Sequence, residues 1–216
     1  MASAVDICNL ALARLGDVAT VAAIDPSEGS AQADQCARFY PIARDSLLEI
    51  HGWKFNTRRV ALSALSIDLH NWAYAYAEPT GCLRVLKVIA STDESSAMGW
   101  PFETETYEDG RSLIRTNMAD AEAVCTFKVT DPAKFSPLFV DALGWLLGSY
   151  LAGPIIKGEE GRAESRRMLQ EFRLVMSQAA ASDANQRKLD LIHSPGWIDA
   201  RGGTDTLYTR DGRIIR

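Results

Sequence analysis

Apolar residues recur at helical spacing from the start of the chain. Val5, Cys8, Leu12 and Leu15 fall on one face. Ser3 stands three residues ahead of Asp6, close to a capping-box pattern, and Gly16 can close the segment in a left-handed conformation. The spacing predicts a helix over Ser3–Leu15, then a loop from Asp17 to Ser30 that contains Pro26 and Gly29. A second helix is predicted from about Ser30 to His51, with Cys36, Tyr40, Ala43, Leu47 and Ile50 inward. Arg38, Arg44, Asp45 and Glu49 fall mostly off that stripe. Pro41 lacks a backbone donor, so a kink is expected there, and Gly52 ends the helix.

The period then changes. Residues 53–130 carry short alternating runs rich in Thr, Val, Tyr and Ile. Trp72, Tyr74 and Tyr76 point one way from a strand, which reads as a core face. Pro79-Thr80-Gly81 reads as a turn with Pro at its second position, followed by a strand over Leu83–Ile89. Asp93–Gly99 is a polar loop. Phe102–Tyr107 and Arg111–Arg115 flank Asp109-Gly110, a two-residue hairpin signal. Ala121, Ala123, Cys125, Phe127 and Val129 alternate with Glu122, Val124, Thr126, Lys128 and Thr130, as on a half-buried strand. One antiparallel sheet of about four to six strands is expected.

Helical spacing returns at Ser136-Pro137, a cap followed by Pro in the first turn. Gly153-Pro154 is the expected stop. Between them apolar residues cover nearly every direction, which predicts a central helix, and Gly144 and Gly148 leave room for a neighbour. The stretch Leu138–Ile156 is the one membrane candidate. Asp141, Gly144, Gly148, Gly153 and Pro154 interrupt it, so a buried core helix is the better reading. A fourth helix is predicted from about Gly158 to Ala181, with Met168, Phe172, Val175 and Ala179 inward and Glu164 within reach of Arg167.

Composition adds three limits. The chain has 216 residues, 47% hydrophobic and 24% charged, enough for a substantial core. Its net charge of −5 argues against a protein whose main work is gripping nucleic acid. The segment from Arg187 to Arg216 holds six basic and four acidic residues, +2 net, so the rest carries −7. That segment also holds Trp197, Leu207, Tyr208, Ile214 and Ile215, residues suited to docking on something. No signal-peptide pattern opens the chain, so a cytoplasmic site of synthesis is expected.

Candidate chemistry is sparse. Cys8, Cys36, Cys82 and Cys125 show no metal spacing and are expected to be reduced core residues. His51, His70 and His193 are scattered, and no nucleotide, zinc-protease or serine-hydrolase motif occurs. No metal site and no cofactor is expected. Glu103 and Glu105 share a strand face with Glu108 close by, and paired carboxylates are what glycan hydrolysis needs. A solvated strand is the simpler reading. Arg58-Arg59 follows Trp53-Lys54-Phe55 where helix hands over to sheet, which reads as a junction or a contact with a neighbouring chain.

Five runs, in order, carry a family resemblance. They are Ile7–Gly16 (ICNLALARLG), Phe39–Leu48 (FYPIARDSLL), His51–Leu62 (HGWKFNTRRVAL), Trp72–Pro79 (WAYAYAEP) and Phe135–Gly158, which ends GPIIKG. The chain resembles the tail tubular protein A family, head-to-tail adaptors of short-tailed bacteriophages, over residues 3 to 185. The resemblance implies an α+β fold: an antiparallel four-helix bundle formed by both chain ends (1–52 and 133–185), an antiparallel β-sheet insertion (53–132) and an extended C-terminal arm (186–216). It implies a homo-oligomeric ring of twelve beneath the portal protein, carrying the tail nozzle protein and helping to seat tail fibres. DNA passes through the lumen without specific binding. No membrane and no cofactor is involved, and the protein resides in the virion neck after assembly in the host cytoplasm. Some such adaptors cleave peptidoglycan, which makes a muramidase-like tail protein the alternative function. The expected interface residues are Trp53, Arg58, Arg59, Trp197, Arg201, Leu207, Tyr208, Arg210, Arg213 and Ile214.

Overall fold

The computed structural model describes residues 2–18, 20–67, 71–90 and 99–186. Helix α1 spans Ala4–Arg14 and starts as its sequence demands. The Ser3 side chain accepts from the Asp6 backbone N–H, and the Asp6 carboxylate accepts from the Ser3 N–H. Helix α2 spans Ala31–Ile50 with Ser30 as its cap, and it runs on through Pro41. Seven strands follow: β1 Thr57–Ala61, β2 Ser63–Leu65, β3 Tyr74–Ala77, β4 Cys82–Ala90, β5 Phe102–Thr106, β6 Ser112–Thr116 and β7 Ala121–Phe127. After a short 3₁₀ turn come α3, Pro137–Ile156, and α4, Gly158–Ala184. The chain divides into two compact units, Met1–Ala184 and Asn185–Arg216. The expected arm lies outside the described residues from 187 onward, as does the expected polar loop over 93–98.

The expected four-helix bundle built by both chain ends is not what forms. Helix α3 is a hub. α1, α2 and α4 each pack on it, while α1 and α2 touch each other only narrowly. The cause lies in the composition of α3. Buried residues point from it in every direction, among them Phe139, Leu143, Leu147 and Leu151, so each amphipathic partner satisfies its own stripe there. α3 is long and apolar enough to cross a membrane by length and composition, and its central residues lie in this core. Gly144 permits a close approach: a Cβ there would meet Arg14 Nη1 at 2.9 Å and Leu10 Cδ2 at 3.1 Å. α3 also outruns its expected stop at Gly153-Pro154. A residue before proline normally leaves the helical region because its Cβ meets the proline ring, and glycine has no Cβ. The helix instead ends where Lys157 and Gly158 both take positive φ.

The single expected sheet is two antiparallel sheets. One has the order β1-β7-β4, the other β2-β3-β6-β5. β1 and β2 were hidden in the segment that reads as a junction. Leu62, between them, donates its N–H to Ala121 O, and the chain passes from one sheet to the other there. A bridge between Val88 and Trp100 links the sheets again. Their common core holds Tyr76, Val88, Ile114, Ala123, Cys125 and Phe127, so the expected inward phase of β7 is found. Of the expected aromatic trio, Trp72 precedes β3 and only Tyr76 is a core residue; Tyr74 is 41% exposed.

Two turns differ from expectation. The Cys82 N–H donates to Pro79 O, so Pro79 is the first residue of that turn and Gly81, at φ +78, the third. The β5–β6 hairpin is a three-residue loop. Tyr107 N–H pairs with Arg111 O, Gly110 N–H with Tyr107 O, and Gly110 sits at φ +83. That is the type I turn closed by a left-handed glycine, which the Asp-Gly pair serves equally well.

Candidate functional site

The region with the most expected site residues is the handover from α2 to β1. His51 closes α2 in extended backbone, and the chain turns beneath the helices before entering β1. Trp53 was expected at an interface. The structure puts it in the helical core at 0% exposure, with its indole N–H donating to Leu47 O at 2.9 Å. Its ring meets Phe139 edge-on at 5.1 Å and lies over Phe55 at 6.1 Å. An indole this enclosed anchors the β module to α3 and is not available to a partner.

Arg58 and Arg59 are exposed, as an interface requires. The Arg58 guanidinium lies 5.1 Å from the centre of the Phe127 ring. Arg59 is paired with Glu122 on the neighbouring strand and reaches Ala90 O. Both therefore brace the β1-β7-β4 sheet while presenting positive charge at its edge. Surface pairs of this kind contribute little and exchange easily for a partner's carboxylate. Trp197, Arg201, Leu207, Tyr208, Arg210, Arg213 and Ile214 lie outside the described residues, as do His70 and His193.

Polar contacts also tie the helices to the sheets, beside the Trp53 and Leu83 packing on the helical core. Lys128 Nζ lies 2.7 Å from Asp45 Oδ2, and Arg84 Nη1 donates to Glu49 O. Asp45 also holds Arg44 at 2.7 Å. Arg44 was expected off the buried stripe of α2, yet it is 7% exposed, while Ile50, expected inward, is 53% exposed. The α2 face near Arg44 turns towards the strand end at Lys128. Its guanidinium can be buried there because Asp45 neutralises it and the Tyr40 ring lies 5.9 Å away. Burial pushes the Tyr40 hydroxyl up to about 12.

No family model matches the chain, and no curated protein matches it. The remaining chemistry must therefore be read from geometry. Glu103 and Glu105 share the outer face of β5, as expected. Glu103 accepts from the Trp72 indole N–H at 3.0 Å, and Glu105 pairs with Arg115 at 2.6 Å. Among the described residues, no group of three His, Cys, Asp or Glu side chains is arranged to hold a metal ion.

Three arrangements escape the sequence. Asp183 in the last turn of α4 accepts from Lys54 N–H and bonds His51. Arg14 forms an ion pair with Asp141, donates to its backbone oxygen, and stacks 4.1 Å from the Trp145 ring. The four cysteines also fall two to a core, Cys8 and Cys36 among the helices and Cys82 and Cys125 between the sheets. Separations of this size carry no local signal; only the tertiary fold brings the partners together.

Proposed function

We propose that the chain is a head-to-tail adaptor of a short-tailed bacteriophage. In this reading it is a structural virion protein that forms a ring, of twelve copies by family analogy, between the portal and the tail nozzle. DNA passes through the lumen during ejection. The protein works by binding, resides in the neck of the particle, and assembles in the host cytoplasm.

The observation that carries the reading is the order of five sequence runs and where they fall. Ile7–Gly16, Phe39–Leu48 and Phe135–Gly158 supply α1, α2 and the hub α3. His51–Leu62 supplies Trp53 and β1, and Trp72–Pro79 supplies β3. Most of the runs feed one continuous core, and His51–Leu62 joins it to the sheets. The acidic balance of the chain is a second support. A conduit that gripped phosphates would slow its cargo, because each phosphate contact adds salt-dependent affinity. Exposed Arg58 and Arg59 at a sheet edge suit contact between neighbouring copies, and contacts between unlike surfaces are the kind that close rings.

The test is the native mass of the purified protein, alone and mixed with portal rings of the same particle. A ring-sized complex on the portal is the expected result. A lone monomer in both samples overturns the reading. The peptidoglycan-hydrolase alternative gains nothing from β5, where Glu103 and Glu105 each already hold a partner on an open strand.

A further inference from the structure

Four strand edges bound the two sheets: β1 and β4 in one, β2 and β5 in the other. β4 is bridged to Trp100 at Val88, and β2 is only three residues long. β1 and β5 each run five residues and border a single strand among the described residues. The Leu62 N–H donates to Ala121 O, and the Phe127 N–H to Asn56 O. Bonding alternates along an antiparallel pair, so Arg58 and Val60 turn their backbone groups to β7, while Thr57, Arg59 and Ala61 turn theirs outward. On β5 the Tyr107 N–H bonds Arg111 O. Glu103 and Glu105 therefore bond β6, while Phe102, Thr104 and Thr106 turn N–H and C=O outward. Each edge thus offers three residues to a further strand.

Open space adjoins both strands. A cleft of about 450 Å³ is lined by Arg58, Val60 and Ala61 of β1, and one of about 280 Å³ by Phe102, Thr104 and Thr106 of β5. The two edges also carry opposite charge. β1 bears exposed Arg58 and Arg59, whereas β5 bears exposed Glu103 and Glu105. An unpaired strand edge is a template for another chain, and the charge on it decides which chain. Two β5 edges repel each other, as do two β1 edges, whereas β1 attracts β5. A contact between unlike edges leaves each copy one edge for the next, which is head-to-tail geometry.

We infer that β1 of one copy adds to β5 of the next as an antiparallel strand, so that neighbouring copies share a continuous sheet. This contact deepens the assembly reading and rests on it. Charge and backbone direction fix the register together. With Arg59 opposite Thr104, the outward groups of Thr57, Arg59 and Ala61 meet those of Thr106, Thr104 and Phe102. Arg58 then stands directly across from Glu105 and diagonal to Glu103, at the non-hydrogen-bonded position where side chains approach most closely. The Glu105 side chain is 46% exposed while it holds Arg115, which leaves room for a second guanidinium. A slip of one residue sets outward groups against inward ones, and a slip of two leaves an outward residue unpaired on each strand.

The experiment measures native mass of the full-length chain, alone and on portal rings, for wild type, Arg58→Glu, Glu105→Arg and Thr104→Pro. Circular dichroism checks that each variant is folded. Wild type is expected to form a ring-sized complex, and either charge reversal to weaken association about tenfold or more. Mixing the two reversed chains should restore it, because each reversed edge then meets its complement. Thr104→Pro removes an outward N–H and leaves the β5–β6 bonds in place, so this chain should fold and yet fail to assemble. Reversed chains that assemble like wild type, or a mixture that recovers nothing, overturn the strand pairing and leave the assembly reading standing. A wild-type chain that stays monomeric in every sample overturns both. Amide exchange on the wild type decides the matter even if a variant fails to fold. The Arg59 and Thr104 N–H groups should gain protection in the complex, and equal exchange in both states overturns the pairing.

Discussion

Asp183 and His51 lie 132 residues apart in the chain, yet their side chains are 3.2 Å apart in the fold. The same carboxylate accepts the Lys54 backbone N–H at 3.1 Å. The last turn of α4 is thereby fastened to the segment that leaves α2 for β1. Asp183 is 7% exposed, so removing it strands a backbone donor in a nearly dry place. Asp183→Ala is expected to destabilise the chain by about 1–3 kcal/mol in urea titration. Asp183→Asn keeps an acceptor for Lys54 and should lose less. Equal losses for the two substitutions would mean that the carboxylate's negative charge, not an acceptor for Lys54, holds this joint.

The glycines on the α3 hub separate two kinds of close contact. At Gly161 in α4 a Cβ would lie 2.9 Å from Ala152 O, a backbone atom that cannot swing aside. At Gly144 the nearest atoms are the ends of the flexible Arg14 and Leu10 side chains. Alanine gains up to about 1 kcal/mol over glycine inside a helix. Overpacking costs about 1–3 kcal/mol. Gly161→Ala should therefore be net destabilising by thermal denaturation. Gly144→Ala should be nearer neutral and should weaken the Arg14–Asp141 pair. A stabilised Gly161→Ala chain would show that α4 can lift off α3 without loss.

The start of α1 gives a pH signature. Bonds from the Ser3 backbone and hydroxyl hold the Asp6 carboxyl below its ordinary value of 3.8. A group whose folded value is depressed stabilises the fold above its unfolded value and loses that contribution as pH falls through the folded one. Stability should thus decline below about pH 4. Asp6→Asn should flatten that part of the decline, and Ser3→Ala, which removes the hydroxyl and keeps the backbone N–H, should flatten it less. Unfolding midpoints measured from pH 6 down to 2.5 in wild type and variant would check this. Parallel curves would remove Asp6 as a contributor.

Much of the local structure was legible, because its causes are local. Ser3 and Ser136 cap the helices they were expected to cap, each through its own hydroxyl, and Ser30 caps α2 in the same way. The alternation from Ala121 to Phe127 set the phase of β7, and the directionless apolar run after Pro137 marked α3 as central. What failed depends on distant partners. Arg44 is buried because Asp45 and Tyr40 compensate it, whereas hydropathy alone sends an arginine outward. β1 and β2 are short, and they become strands through β7 and β3 rather than by propensity. The resemblance implied a bundle, but three amphipathic segments and one apolar all round do not say whether they cover one another or a common hub. Cys82 turns towards the core that holds Cys125 through a strand irregularity that no spacing rule anticipates.

Trp53 shows most directly what the structure changes for the function. On the sequence it belongs with Arg58 and Arg59 as an interface anchor. In the fold it fills the core beneath α3, bonded to Leu47 O and edge-on to Phe139. The two placements predict different failures. An interface tryptophan, when truncated, weakens the assembly and leaves the isolated chain as stable as before. A core tryptophan truncated to alanine costs about 3–5 kcal/mol of folding stability. Trp53→Ala is expected to lower the urea midpoint of the isolated chain severely, and Trp53→Phe to recover part of it. Arg58→Glu should do the reverse: its surface pairing is worth about 1 kcal/mol at most, so the isolated chain stays folded. Any effect it has should appear in the native mass of the mixture with portal rings. If Trp53→Ala left the chain's stability untouched, the indole would not be the joint between the α3 core and the sheets.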